Sequence, residues 1–388
     1  MKDVKISNDI IYIGADDKDI DLFENQYKVP NGISYNSYVI MDEKIAIMET
    51  IDRRKTDEWL ENLENALNGR EPDYLIISHL EPDHAYNIGT VIKKYPNIKL
   101  VGNNKTFAFL PQFFDIEDLE ERKVEVKEGD ILELGKHKLR FIIAPMVHWP
   151  EVMMEYEETE KILFSADGFG KFGTLDTDED WDCEARRYYF NIVGKYGMQV
   201  QSVLKKASQL GIKTICPLHG PILRENLSHY INKYDIWSKY ETESEGVYIA
   251  CASIHGNTLK VCEKLKEILE EKGVEKVVLA DLSREDWAEA VEDSFRYGKI
   301  VFASATYDMG IFTPMRDLLL NLKEKNYQNK KVAIIENGTW APNAARCMKE
   351  IISTMKNVEI VEPVVTIKST LKEENIEKLN ELAENLLK

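Results

Sequence analysis

At 388 residues and 44% hydrophobic content, the chain is long enough for two domains with separate cores. A formal net charge of −18 repels a phosphate backbone and excludes nucleic acid as a partner. No apolar run approaches the roughly 18 residues of a membrane span, and the first residues lack the apolar core of a signal sequence, so the chain reads as cytoplasmic with no membrane partner.

Apolar runs at 10–14, 34–40 and 44–48 predict successive strands, and helical periodicity follows from Lys55 through Gly69. A buried strand at 74–78 precedes a second helix at 88–95. That strand runs directly into His79-Leu-Glu81-Pro-Asp83-His84, four potential ligands packed into one strand-to-helix turn. Further along, His148 follows the apolar run 141–144, Asp167 follows 162–165, and His219 stands just after 214–218. Taken singly, a histidine after a strand is ordinarily a hydrogen-bonded structural residue. Together, strand ends of this kind meet at one edge of a sheet, so four imidazoles and three carboxylates converge, enough for two metal ions that share one carboxylate. His137, His229 and His255 fall outside this pattern and are discounted as metal ligands, and no catalytic residue is singled out beyond the ligands themselves. The cysteines, Cys183, Cys216, Cys251, Cys262 and Cys347, are scattered, form no Cys-x-x-Cys pair and fit reduced structural thiols.

The polar hexapeptide at 241–246 has the composition of a linker and divides the chain into domains 1–244 and 245–388. Beyond it, apolar strands at 247–252, 276–280, 300–303, 331–335 and 358–364 alternate with helices, and a helix at 373–387 closes the chain. This predicts a doubly wound parallel sheet with its ligand at the carboxyl ends of the strands. The first strand leads into Ser253, Ile254, His255, Gly256, Asn257 and Thr258, small and hydroxyl residues at the start of a helix at 259–270. A phosphate there meets unpaired N–H groups, the helix dipole and the hydroxyls of Ser253 and Thr258, although an ordinary capped turn has the same composition. Two further strand ends, Ser304, Ala305, Thr306, Tyr307, Asp308 and Gly310, then Asn337, Gly338, Thr339, Trp340 and Ala341, are placed to border a flavin ring, with Tyr307 or Trp340 as a stacking face.

The histidine and carboxylate pattern resembles the metallo-β-lactamase fold, an αββα sandwich whose usual motif is His-x-His-x-Asp-His. Glu81 stands where the zinc hydrolases carry a second histidine, and the added anionic oxygen suits iron at least as well as zinc. The second domain resembles flavodoxin, which binds FMN, throughout its length. An α/β chain with an α+β N-terminal domain of the first kind and a C-terminal domain of the second is similar to the flavodiiron proteins, or A-type flavoproteins, of the short class. The segments Val29-Pro-Asn-Gly-Ile-Ser-Tyr-Asn-Ser-Tyr38 and Arg186-Arg-Tyr-Tyr-Phe-Asn-Ile192 carry the same resemblance.

The resemblance implies FMN and two iron ions, one held by His79, Glu81 and His148, the other by Asp83, His84 and His219, with Asp167 bridging them. It implies an oxidoreductase that reduces dioxygen to water, nitric oxide to nitrous oxide, or both, with electrons arriving through FMN. It also implies a head-to-tail homodimer, or a dimer of such dimers, in which the flavin of one chain serves the irons of the other. The chain ends with the flavodoxin-like segment, without the rubredoxin or flavin-reductase modules fused to some members. A separate rubredoxin is therefore the expected electron donor, with a reduced deazaflavin coenzyme as runner-up. Some members carry a histidine in the segment matching Leu22-Phe-Glu-Asn25, which is absent here, so its role in substrate preference does not transfer. Tyr196 reads as a packed helix tyrosine and stays outside the site. The competing reading is a di-zinc hydrolase whose flavodoxin-like domain serves for docking. An electron carrier with a degenerate metal domain conflicts with the complete ligand set.

Overall fold

Short β-branched and aromatic runs between residues 10 and 216 form two large sheets and two small two-stranded ones in the computed structural model, which describes residues 4–388. In the first sheet, Ile10–Tyr12, Tyr38–Ile40 and Ala46–Met48 pair antiparallel, and Tyr74–Ile76, Lys99–Gly102 and Lys123–Glu125 continue it in parallel. The second sheet runs antiparallel through Ile131–Glu133, Lys138–Ile143, Met153–Glu157 and Ile162–Phe164, then adds Thr214–Cys216 in parallel. One core joins Tyr38, Met48, Ile76 and Val101 of the first sheet to Phe141, Met153, Phe164 and Cys216 of the second. The two sheets therefore pack face to face, as the β-lactamase-like expectation requires. Helix Thr56–Leu67 buries Trp59, Leu63 and Leu67 at helical spacing, and the Trp59 indole donates to Ser37 Oγ at 3.1 Å.

The run at 34–40 forms two strands, Ile33–Tyr35 and Tyr38–Ile40, rather than one. The break falls at Asn36, whose amide donates to the carbonyls of Pro217 and Gly220, both at 2.8 Å. A buried polar side chain needs its partners, and those partners lie on the loop that carries His219.

The second sheet system has the order Val277–Asp281, Ser244–Ala252, Tyr297–Tyr307, Gln328–Asn337, Lys356–Ile367, with every neighbouring pair parallel. In order along the chain this is 2-1-3-4-5, the flavodoxin arrangement, whose switch point lies between the first and third strands. The central strands are nearly continuous apolar runs because helices cover both faces. Helices Asn257–Glu271 and Glu373–Leu387 bury Val261, Leu265, Ile268, Leu379, Leu382 and Leu386 in one core with Ile249, Val301 and Ile335 of the sheet.

By compactness one unit extends to Tyr189 and resumes over Met198–Asp235, and the other comprises Phe190–Gly197 and Ile236–Lys388. The division falls before the hexapeptide at 241–246, since Tyr240 accepts from the Gly197 N–H at 3.2 Å and the Phe190 ring stacks on Phe295 at 4.3 Å. Among the described residues, no helix is long and apolar enough to cross a membrane.

Candidate metal and flavin sites

Sheet topology brings the histidine and carboxylate loops to one edge. Tyr74–Ile76 ends at the His79 loop, whose Pro82 opens the one-turn helix Pro82–Ala85 holding Asp83 and His84. In the second sheet, Lys138–Ile143, Ile162–Phe164 and Thr214–Cys216 run in one direction, so the loops bearing His148, Asp167 and His219 leave from the same edge.

Two groups of ligand atoms form there, His79, Glu81, His148 and Asp167 in one, Asp83, His84 and His219 in the other. Glu81 Oε2 lies 3.0 Å from His148 Nε2 and 3.4 Å from His79 Nε2. Asp83 Oδ2 lies 3.2 Å from His219 Nε2 and 3.4 Å from His84 Nε2. Asp167 faces both groups, its Oδ2 at 3.1 Å from His148 Nε2 and its Oδ1 at 3.2 Å from His84 Nε2. His219 donates its Nδ1–H to the Ser34 carbonyl at 2.7 Å, which fixes the tautomer that leaves Nε2 free. Phe23, Tyr35 and Tyr188 ring His219, and Trp149 packs edge-on against His79.

These groups fit metal ions better than they fit one another. Both ring nitrogens of His79, both carboxylate oxygens of Asp83, Nδ1 of His84, Nε2 of His148 and Oδ1 of Asp167 are buried without a hydrogen bond. Such atoms are rare in folded proteins and cost about 1–3 kcal/mol each. His84 Nε2 and His219 Nε2 stand 3.1 Å apart, two ligand nitrogens aimed at one spot. Among the protein groups alone, burial pushes Glu81 up to about 8 and His79 down to about 3. Burial opposes charge on His84 too, yet Asp83 and Asp167 push it up to about 10. Against the same cost, His148 and His84 hold Asp167 well below the usual carboxylate range. Divalent cations resolve the conflict by keeping the carboxylates ionised and the imidazoles neutral.

A third group, Asp9, His137 and Glu160, is served by the Lys136 side chain. Lys136 Nζ lies 2.5 Å from Asp9 Oδ2 and 3.8 Å from Glu160 Oε1, and His137 Nδ1 pairs with Glu157 Oε1 at 2.9 Å.

In the parallel-sheet unit, the strand ends enclose a cavity of about 530 Å³. Ser253, Ile254, His255, Asn257 and Thr258 line it from the first loop, Ala305, Thr306, Tyr307 and Asp308 from the third, and Asn337, Gly338, Thr339, Trp340 and Ala341 from the fourth. Three expected residues stand off its wall. Gly256 instead caps helix Asn257–Glu271 at φ 84°, where a side chain has room but the backbone disfavours one, and donates its N–H to Ser253 Oγ at 3.0 Å. Ser304 is buried, and its hydroxyl is bonded to the Ala305 carbonyl at 3.0 Å. Gly310 pairs with Tyr307 in a tight hairpin turned by Asp308 and Met309, both at positive φ.

Met309 and Ser369 line the cavity and were not expected. Ser369 arrives because the last strand continues to Ile367, past the anticipated end at 364. Its loop is stitched to the fourth by Asn337 Oδ1, which accepts the Ser369 N–H at 3.0 Å, and by the Thr339 and Ser369 hydroxyls at 2.7 Å. Among the described residues no Lys or Arg lines the cavity, so an anion there relies on the helix start and the hydroxyls. Trp340 is 88% exposed and Tyr307 49%, leaving both rings available to an aromatic ligand.

A family profile described as ODP family beta lactamase matches residues 33–220. A nitric oxide reductase from Moorella thermoacetica is 28% identical over 99% of this chain and 98% of its own length. A diflavin flavoprotein from Synechocystis is 31% identical over 74% of this chain, which spans only about half (51%) of that relative. Among solved structures, a variant flavo di-iron protein from Thermotoga maritima aligns over 98% of this chain and 96% of its own with 26% identity and a TM-score of 0.87. The rubredoxin oxygen:oxidoreductase from Desulfovibrio gigas, at 24% identity, shares the fold with a TM-score of 0.91 over 98% of this chain and 97% of that one. Matched from end to end by relatives of this kind, the chain belongs to the flavodiiron protein family of oxidoreductases, whose cofactors are FMN and a di-iron centre.

Proposed function

We propose that the protein reduces dioxygen to water, nitric oxide to nitrous oxide, or both, at a di-iron centre with electrons delivered through FMN. The observation that carries this reading is Asp167, whose two oxygens each face a different histidine group. His79, Glu81 and His148 are assigned to one ion, and Asp83, His84 and His219 to the other. When bound, the iron pair supplies Lewis acidity and electrons, and FMN relays electrons from the donor. The chain's own residues hold and shield. His219 is locked with Nε2 inward by its bond to Ser34, and the aromatic rings around His219 and His79 exclude bulk water. In the flavin cavity, the N–H groups at the start of helix Asn257–Glu271 and the Thr258 hydroxyl take the phosphate, while Trp340 and Tyr307 offer faces to the ring.

The Moorella relative is named for nitric oxide and the Desulfovibrio protein for rubredoxin and oxygen, which supports both acceptors and a rubredoxin-type donor. We further propose a homodimer in the cytoplasm, the location being consistent with cysteines that form no disulfide among the described residues. Anaerobic purification followed by iron, zinc and flavin analysis, then stopped-flow mixing of reduced protein with dioxygen and with nitric oxide, tests the function. About two irons and one FMN per chain are expected, with reoxidation by at least one gas faster than that of free FMN. Zinc in place of iron, or indifference to both gases, overturns it. Sedimentation tests the dimer.

A further inference from the structure

We propose that Glu49, Glu151 and Glu155, none of them a metal ligand, form a clamp that positions the His79 ligand loop. The proposal rests on the assignment of His79 and Glu81 as ligands.

Ser78, His79 and Leu80 are consecutive, and each has a polar hydrogen answered by a buried carboxylate. Glu49 Oε1 accepts the backbone N–H of Ser78 and that of His79, the latter at 2.9 Å. Glu151 Oε1 accepts the N–H of Leu80 at 3.0 Å. The Ser78 hydroxyl is shared between the two oxygens of Glu155 at 3.0 and 3.2 Å. The Ser78 carbonyl accepts from Met153 N–H at 3.0 Å, which closes the last polar group of that residue.

All three carboxylates are almost wholly buried. Among the described residues none of the three forms an ion pair with Lys or Arg, although Lys105, whose Nζ lies 3.4 Å from the Pro150 carbonyl, acts on Glu151 from a distance. A side-chain carboxyl oxygen answers these N–H groups as a backbone carbonyl would, but from an element that is not paired with the loop. Burial pushes all three above the usual carboxylate range, Glu49 up to about 8, so each serves the loop as a hydrogen-bond acceptor.

The three come from different parts of the sandwich, which is why they act as a clamp. Glu49 follows strand Ala46–Met48 of the first sheet, whose Met48 is paired with Ile76, and reaches across to the end of the neighbouring strand. Glu155 belongs to strand Met153–Glu157 of the second sheet, and Glu151 precedes it on the loop that bears His148. Glu49 adopts φ 63°, a left-handed conformation that a non-glycine residue seldom takes and that persists where the surroundings demand it. At this φ its side chain bonds two successive amides at once. A ligand held this way cannot swing when its metal leaves or changes charge, and such outer carboxylates typically govern metal affinity.

The test uses whole protein with FMN bound, stripped of metal by chelation and titrated anaerobically with Co²⁺, whose visible spectrum reports ligand number and geometry. Glu49→Ala is expected to weaken the His79-side ion by about 10–100-fold and shift its ligand-field bands, while Glu49→Gln, whose amide oxygen still accepts both N–H groups, stays within about threefold of the parent. Parental affinity and spectrum in Glu49→Ala overturn the proposal, as does a Gln variant as weak as the Ala variant. If Glu49→Ala does not fold, Glu151→Ala decides, weakened binding supporting the clamp and parental binding refuting it. His79→Ala serves as the reference. If it keeps both ions, the ligand assignment fails rather than the clamp.

Discussion

Replacing Asp167 by Asn keeps the shape of the side chain and removes its charge at a position that faces both histidine groups. Its oxygens lie 3.1 Å from His148 Nε2 and 3.2 Å from His84 Nε2, so the change reaches two ions. A four-ligand metal site is worth about 10–16 kcal/mol, or about 3 kcal/mol per ligand, and losing one weakens binding roughly a hundredfold for each ion. Glu81→Gln touches only the His79 and His148 side, where Oε2 sits 3.4 and 3.0 Å from the two ring nitrogens. Iron per chain after gel filtration against a fixed chelator concentration separates the cases, with FMN absorbance as the internal measure of folded protein. Asp167→Asn should lose both irons, and Glu81→Gln one, each with its flavin retained. An Asp167→Asn protein that loses only one iron, or none, refutes the bridging role.

Thr258→Val removes a buried hydroxyl from the first turn of helix Asn257–Glu271, the proposed phosphate site, and loss of a hydrogen bond to an anion, about 1.5–3 kcal/mol, should raise the FMN Kd roughly 10–100-fold in a fluorescence-quenching titration. An unchanged Kd moves the phosphate elsewhere. Trp340→Ala removes an 88% exposed ring from the cavity rim, and losing about 1 kcal/mol of stacking should weaken FMN about fivefold and raise its bound fluorescence. A Trp340→Ala protein with parental affinity and quenching places the flavin against another face. His137→Ala leaves Glu157 buried without its partner and should cost about 3 kcal/mol in urea unfolding near pH 6. Although burial opposes it, pairing with Glu157 and Asp9 raises His137 above 6.5, and its own burial notwithstanding, Glu157 is lowered below 4.5 by His137. The pair is therefore complete between those two values, and its contribution fades as pH climbs through the raised value of His137. A penalty that grows toward pH 9 contradicts the assignment.

The convergence of the histidine and carboxylate loops was legible in sequence because each follows an apolar run, and strands in an α/β sheet deliver their ends to a shared edge. The first cavity loop was readable for the same reason, since a strand followed by small residues and a helix start is a local pattern. Ser369 escaped because Pro363 and Lys368 blur the end of the last strand, which continues to Ile367. Gly310 was assigned to the cavity from its place in a loop, whereas positive φ at Asp308 and Met309 turns the chain back one step earlier. Glu49 and Glu155 did leave a trace, a charge at the end of Ala46-Ile-Met48 and another inside Met153-Met-Glu155-Tyr. A lone charge in an apolar run marks a buried partner without saying which.

What the sequence determined by itself was an inventory: the histidines and carboxylates that stand at strand ends, the order of strands and helices, and the small and hydroxyl residues around the cavity. Those follow from short-range periodicity and turn chemistry, which a single chain records directly. Only the tertiary structure decided that the two oxygens of Asp167 face different histidines, that His219 is aimed by the carbonyl of Ser34, and that three remote carboxylates hold Ser78, His79 and Leu80. These are contacts between residues far apart in the chain, set by how two sheets stack and register, and no local pattern encodes them.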